Sequence, residues 1–476
     1  MVQVMQNSKL IAPPTAKGFP LIGALPDLLR KQVDYLEYAR AAYGDIYVLK
    51  LGPMSMIMLN RPEYAQYVLR DRMANYSKDG PIWDSVRALS GNGLTTSSGD
   101  YWLRQRRMMQ PHFHRQRLGA LTEIMVSTIA QNLQDWDQFA NQADPVEITH
   151  QFGRMTMPII MRTMFGMDIS AEEISSMGEK MTYIVDNLLS QAVINSIPGW
   201  MPIPKRAVYQ RALKDVETFV YTVVEKRRKN VSNDLLSMLI EAIDSETGEQ
   251  MTNQQVHNEV VTIFVAGYET VALTLAWALY YLTQQPALIE RLQHEVDSVL
   301  GQRPPTVDDL PRLAYTRQVF QETLRLAPPG YFLPRTAVED DVIDGFHIPA
   351  GKMVAVSLYT IHRHPEFWQS PHTFDPDRFS PAQSEKHHPM AWIPFGAGPR
   401  FCMGRDFAYM EGSLILAMLI QRFTVTSPAG FVTKPRLSFT LHPNNGVLVH
   451  CNHVTDLLCK FPNLIWKFTA QLAKSI

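Results

Sequence analysis

From about residue 118 to residue 326 the chain returns to apolar residues every three or four positions. That period places them along one face of an α-helix, and it predicts helices over 118–139, 146–165, 174–193, 206–228 and 254–282. The last is different in kind, being apolar on most sides between Val260 and Leu282. A helix that is apolar all round belongs in the middle of a protein, and Pro286 is expected to end it. β-formers mark the remaining elements. The stretches "DIYVLKLG" (45–52) and "SMIMLN" (55–60) flank a Gly-Pro pair and predict a hairpin. Strands are predicted again at "FLPRTAV", "HIPAGKMVAVSL" and "GVLVHC". Pro13, Pro14 and Pro20 make the opening an extended lead-in.

The pattern therefore predicts a mainly α protein with a small β-rich lobe built from both ends of the chain. Without internal repeats or low-complexity segments, residues 1–454 read as one unit and 455–476 as an amphipathic tail. In that tail Leu464, Ile465, Phe468 and Leu472 share one helical face, with Lys467 and Lys474 off it. The face is expected to pack on the protein rather than on a membrane.

Composition removes several classes of function. A net charge of −1 over 476 residues lacks the basic excess of a nucleic-acid binder. The three cysteines, Cys402, Cys451 and Cys459, have no paired spacing. Their pattern points to a reducing compartment rather than a disulfide framework, and neither zinc spacing nor H-E-x-x-H occurs. The N-terminus carries neither a signal-like segment nor an apolar run of about 20 residues. A cytoplasmic monomer is expected.

One of those cysteines has unusual surroundings, "WIPFGAGPRFCMGRDFA" (392–408). Metals bind the thiolate rather than the thiol, so such a site must favour negative charge. The residues after Cys402 look like a helix starting at the cysteine, whose free N–H groups and dipole would stabilise an anion. Gly396, Gly398 and Gly404 would let backbone turn sharply and approach a flat ligand. Arg400 supplies a charged fork suited to a carboxylate. An inert core cysteine beside a turn is the plainer alternative for an isolated residue. The complete frame favours the ligand: "FGAGPRFCMG" (395–404) fits F-x-x-G-x-R-x-C-x-G at every fixed position.

That frame resembles the haem-thiolate signature of the cytochrome P450 family. The resemblance implies a cytochrome P450 fold, with the long central helix over the haem, and haem b as cofactor. It implies Cys402 as the axial thiolate ligand of the iron, Arg400 on a haem propionate, and Phe395 in the haem-binding set. "FQETLRLAPP" places Glu322 and Arg325 at i, i+3, which alone would suggest a surface ion pair of about 0.2–0.5 kcal/mol. The family implies instead a buried network with Arg378 of "FDPDRF", where Asp377 stands in place of the usual glutamate.

In "AGYET" (266–270), a packing glycine and a partly solvated glutamate would account for Gly267 and Glu269. The resemblance gives them another role. A small residue and glycine make room for oxygen, while Glu269 and Thr270 form an acid–alcohol pair that delivers protons. "DYWLRQRR" has Trp102 and Arg106 on one helical face, where a basic surface helix is the alternative. The family places a propionate clamp there, and another propionate arginine at Arg335.

Some haem-thiolate proteins are peroxygenases or isomerases, and a non-catalytic haem-binding sensor is a further alternative. Thr270 favours activation of O2 as co-substrate, with one oxygen atom entering a C–H bond. Electrons are expected from a separate ferredoxin or flavoprotein, which would meet Arg107, Arg400 and Arg405. By resemblance a lipophilic substrate is lined by Ile82, Val86, Phe264, Ala266, Tyr331 and Phe332. Fatty acid and terpenoid or steroid-like substrates both fit, with Arg87 as the anchor a fatty acid would want. The stretch "IPGWMPIPKR" resembles a lid over the substrate channel, or a plain packed loop.

Overall fold

The computed structural model describes residues 11–140, 142–194, 206–229 and 234–454. The tail 455–476, Cys459 and all but the last residue of "IPGWMPIPKR" lie outside the described residues.

Both predicted strands of the hairpin form, as β1 (Ile46–Leu51) and β2 (Met54–Leu59). They join β3 (Tyr76–Ser77), β4 (Phe332–Ala337) and β5 (Met353–Ser357) in one sheet of order β1-β2-β5-β4-β3. The chain's two ends meet at the β2–β5 pair, which is parallel. The proline-rich lead-in is extended and lies along β1, Ala16 N–H donating to the Val48 carbonyl at 2.9 Å. A hairpin of β6 (Pro435–Leu437) and β7 (Leu441–Pro443) stands apart from this sheet.

Helices supply most of the core. Those that frame the site are α1 (Pro81–Ser90), α2 (Gly99–Met109), α3 (Ile148–Phe165), α4 (Ala171–Ile194), α5 (Asn253–Thr283), α6 (Ala314–Leu326) and α7 (Arg405–Arg422). Two expected boundaries moved for local reasons. Val146–Glu147 is a short strand, and the Glu147 carboxylate caps α3 by accepting from the N–H groups of Thr149 and His150, each at 2.9 Å. The segment expected from 118 begins its long helix at Thr122 and ends in a 3-10 turn, Trp136–Phe139.

The central helix α5 is the expected one and runs about 46 Å at 1.5 Å per residue. Thr252 and Gln255 form a reciprocal capping box at its start. Pro286 does not end it. The helix stops at Thr283, and Pro286 opens the next helix, Pro286–Leu300, where a missing N–H costs nothing. Among the described residues α5 is also the one helix long and apolar enough to cross a membrane. Since 72% of that apolar window is buried, it is the core helix that its all-round apolarity predicted.

Gly267 lets α5 lie close against α3. A Cβ at this position would sit 2.6 Å from the Ile160 Cδ1. Gly267→Ala is therefore expected to destabilise the protein by about 1–2 kcal/mol, overpacking outweighing the gain in helix propensity. Ile160→Val removes the opposing methyl. In urea melts, the double variant should be no less stable than Ile160→Val alone; additive losses would refute the contact.

Candidate active site

The Cys402 loop is held from both sides. Cys402 N–H donates to the Phe395 carbonyl at 2.9 Å, and Gly396 N–H to the Ile393 carbonyl at 2.9 Å. Gly398, at φ +69°, faces the Leu69 carbonyl so closely that a Cβ would lie 2.1 Å from its oxygen. No side chain fits there. The helix begins at Arg405, with Gly404 as its N-cap, three residues later than the sequence suggested. That offset is useful, because the N–H groups of Gly404 and Arg405 now reach back to the sulfur.

Burial raises the Cys402 thiol pKa, while those two N–H groups, Arg106 and Arg405 pull it down, leaving it raised overall. The sulfur is surrounded by protein yet presents open surface, so it lines an internal cleft. Cys451 differs: it is buried in the strand Leu448–His453, and burial pushes its thiol up to about 12.

Beneath the loop lies the network around α6. The Arg325 guanidinium donates to both Glu322 oxygens at 2.7 and 2.8 Å, and to the carbonyls of His362, Pro371 and Thr373 at 2.9, 2.7 and 3.0 Å. All its donors are used. Both side chains are fully buried, and Arg378 reaches the same carboxylate at 3.4 Å. Burial pushes the Glu322 carboxyl up and the Arg325 guanidinium down in pKa, against their mutual attraction. Asp377 takes no part in the network; it pairs with Arg291 at the surface, 2.8 Å away, which is why the shorter carboxylate is tolerated.

Beside the loop, and including its own Arg400, cations gather without anions. Arg400 stacks on the Trp102 ring at 4.4 Å, with one guanidinium nitrogen buried and unpartnered. Arg335 and Lys78 converge on Trp83, 6.0 and 4.7 Å from its centroid. Burial lowers Arg400 to about 10 and, with Arg400 beside it, Arg335 to about 9. Burial and then the charges of Arg335, Arg400 and Arg87 hold Lys78 well below an ordinary lysine. Among the described residues none of the three pairs with a carboxylate. Buried cations that repel one another suit a dianion, as the two propionates of a haem would be. Lys78 was missed because a lysine in "YSKDG" looks like any solvated lysine. Arg106 is partly used otherwise, donating to the Phe401 carbonyl at 2.8 Å and so steadying the cysteine loop.

Across α5, Ala266 is exposed to open space and Thr270 is half-buried, its Oγ1 donating to the Ala266 carbonyl at 2.8 Å. Gly267 turns away to Ile160, so it is a packing glycine and the expected room for oxygen falls to Ala266. Glu269 is buried rather than partly solvated, and the β6–β7 hairpin holds it: His442 Nε2 lies 3.3 Å from one oxygen, Thr440 Oγ1 3.4 Å from the other.

The expected substrate lining is only partly recovered. Ala266 and Phe332 present surface, whereas Ile82, Val86, Phe264 and Tyr331 are buried. Phe264 packs at a tilt against Phe219 and stacks on Tyr268, and the Tyr331 hydroxyl donates to the Ser438 carbonyl at 2.8 Å. Phe395 packs its ring on Tyr409, 5.4 Å between centroids. Arg87 is no anchor, since Asp84, Asp79 and the carbonyls of Lys78 and Thr96 occupy it. Two of the three arginines expected to face a partner are already paired: Arg107 with Asp244 and Glu246, Arg405 with Asp406, while Arg400 belongs to the cation cluster. A cavity of about 770 Å³ lined by Arg107, His112, Arg117 and Asp234 contains none of Cys402, Ala266 or Thr270.

A family model described as Cytochrome P450 matches residues 13–450. Cyclooctatin synthase of Streptomyces melanosporofaciens is 32% identical over 428 residues, covering 89% of this chain and 92% of that protein. Cyclooctat-9-en-7-ol 5-monooxygenase of the same organism is 31% identical, covering 87% of this chain and 90% of its own length. Pentalenene oxygenase of Streptomyces avermitilis is 28% identical, covering 92% and 97%. A crystal structure of a cytochrome P450DA haem domain superposes with a TM-score of 0.85 at 26% identity, covering 93% of this chain and 98% of that one.

Two stability tests follow. Arg325→Lys keeps the charge but not the fork, and should lose about 3–5 kcal/mol, whereas Asp377→Glu should stay within about 0.5 kcal/mol. Equal effects in denaturant melts would contradict the geometry. The second concerns His362, whose Nε2 accepts the Ile393 N–H at 3.0 Å and whose pKa burial pushes down to about 3. Between pH 6.5 and 3 the unfolded chain binds the extra proton, so stability falls as pH drops, by at most about 1.4 kcal/mol per unit. His362→Gln can still accept that N–H but does not titrate. Wild type should lose stability relative to it below pH 6.5, and a constant offset would rule this out.

Proposed function

The chain belongs to the cytochrome P450 family and is a haem b monooxygenase with O2 as co-substrate; from that premise we propose that it hydroxylates a polycyclic terpenoid. The observation that carries the placement of the chemistry is the Cys402 sulfur, open to the cleft and approached by the Gly404 and Arg405 N–H groups. Cys402 would hold the iron, and Arg106 offsets part of the charge of its thiolate. Lys78, Arg335 and Arg400 would take the propionates, with Trp102 backing Arg400. When bound, the haem supplies the activation of O2. Thr270, beside the exposed Ala266 on α5, would pass a proton towards it, with Glu269 as its source.

Terpenoid is preferred to fatty acid on two grounds. The candidate carboxylate anchor, Arg87, is held by Asp84 and by the carbonyls of Lys78 and Thr96. The names of three relatives, cyclooctatin synthase, cyclooctat-9-en-7-ol 5-monooxygenase and pentalenene oxygenase, point the same way. Electrons come from a separate ferredoxin or flavoprotein. The protein works in the cytoplasm, where free thiols such as Cys402 and Cys451 stay reduced.

Purified holoenzyme with a surrogate ferredoxin and its reductase should convert a cyclic C15 or C20 terpene hydrocarbon to an alcohol carrying one atom of labelled O2. Palmitic acid should give neither a spin shift nor product. Turnover of palmitic acid alone would overturn the substrate class, and binding without reductant-driven product would overturn the oxygenase reading. Lys78→Ala should lower haem retention while Arg87→Ala leaves palmitate binding unchanged.

A further inference from the structure

Glu269 and Thr270 are neighbours on α5 but look in different directions. Thr270 stands beside the exposed Ala266, while Glu269 points between α4 and the β6–β7 hairpin. There a single ring nitrogen, His442 Nε2, lies 3.3 Å from Glu269 Oε1, 2.9 Å from Thr440 Oγ1 and 3.9 Å from Asp186 Oδ1. Arg436 grips Asp186 at 3.0 and 3.1 Å. Tyr268 is the other titratable group against the cluster, its phenol pushed well up in pKa by burial and then by Glu269.

Two features make this more than packing. Side-chain exposure rises along the series, from 7% at Glu269 to 11% at His442, 28% at Asp186 and 34% at Arg436. The groups form a continuous polar line from the core helix to solvent. Glu269 Oε1 is also buried with no hydrogen-bond partner other than what that imidazole can offer. A bare Nε2 would leave two lone pairs facing each other in a dry site, which is costly. A proton shared between Oε1 and Nε2 would satisfy this contact, with the Thr440 hydroxyl beside it.

Resting on the monooxygenase reading, we propose that His442 is a positioning residue that recharges Glu269, so that Glu269, His442 and Asp186 form a proton line from the surface to Thr270. The steps balance in protons alone. The pair's proton leaves through Glu269 towards Thr270, and His442 Nε2 takes one proton from water at the Asp186 edge and returns it to the pair. Thr440 bridges the inner pair through its hydroxyl.

The first test does not depend on turnover. In the ferrous carbonmonoxy holoenzyme with ¹³C-labelled histidine, the resonance lost in His442→Gln identifies the ring. Glu269→Gln and Asp186→Asn should each lower its titration midpoint by about half a unit or more, because each removes an anion beside the imidazolium. A midpoint unmoved by both would overturn the proposal, whatever the enzyme's activity. The second test measures hydrogen peroxide released per NAD(P)H with the surrogate electron donors and a cyclic C15 terpene hydrocarbon, from pH 6 to 9. Wild type should release more peroxide as pH rises and the imidazolium is lost. His442→Gln, which can still hold Glu269 through its amide, should release severalfold more throughout, with a flat profile. A Gln variant with the wild-type yield and pH profile would likewise overturn the proposal. His442→Phe should match His442→Gln in profile; a Phe variant with the wild-type profile would count against the line.

Discussion

The structure depends on one guanidinium whose donors are all spent. Arg325 is fully buried, and a buried charge is tolerated only when its hydrogen bonds are complete. Here they are complete because the acceptors come from three places: Glu322 on the same helix, the His362 carbonyl, and the Pro371–Thr373 segment. His362 then passes the constraint on, since its ring nitrogen receives the Ile393 N–H at the start of the cysteine loop. A side chain far from the sulfur thus fixes the base on which the sulfur stands. Such support is what keeps a reactive group in register with its target.

The cation cluster beside the cysteine loop obeys a contrary rule. Lys78, Arg335 and Arg400 are cations placed where water is scarce and like charges are near. Their repulsion works against the folded chain, and an anionic cofactor would relieve it. Cofactor affinity and fold stability are thereby linked, because whatever binds the folded state alone stabilises it. A sulfur open to the cleft and cations without anions suit a ligand that is metal at its centre and anionic at its rim.

Much of this was legible in the sequence, and what was not has physical reasons. The cysteine frame and the core helix could be read because each couples a spacing to a chemical need, whereas the burial of the Glu322–Arg325 pair came from the family resemblance, its spacing alone suggesting a surface ion pair. The hairpin β1–β2 and the extended state of the lead-in were legible from β-formers and prolines, though its place along β1 was not. Lys78 was hidden because burial, not identity, makes a lysine unusual, and burial at that point comes from Trp83 and β4. Gly267 was assigned to the wrong face because helical period gives relative directions but not which neighbour lies where. The helices Leu25–Lys31 and Val33–Tyr43 went unpredicted beside a proline-rich opening that masked them. Substrate lining was the least legible, since apolar residues that line a cleft and those that fill a core look alike in one dimension.

Gly398 has a bearing on how the protein comes into being. Its backbone is pressed against the Leu69 carbonyl, a group contributed from near the opposite end of the chain. The ligand loop therefore cannot reach its final shape while only the first part of the polypeptide has been synthesised, nor while the two halves remain undocked. Contacts between such distant segments form late, because closing the intervening chain is slow. The Cys402 loop is accordingly completed only after beginning and end have met, and a haem held there, as proposed, would be captured late.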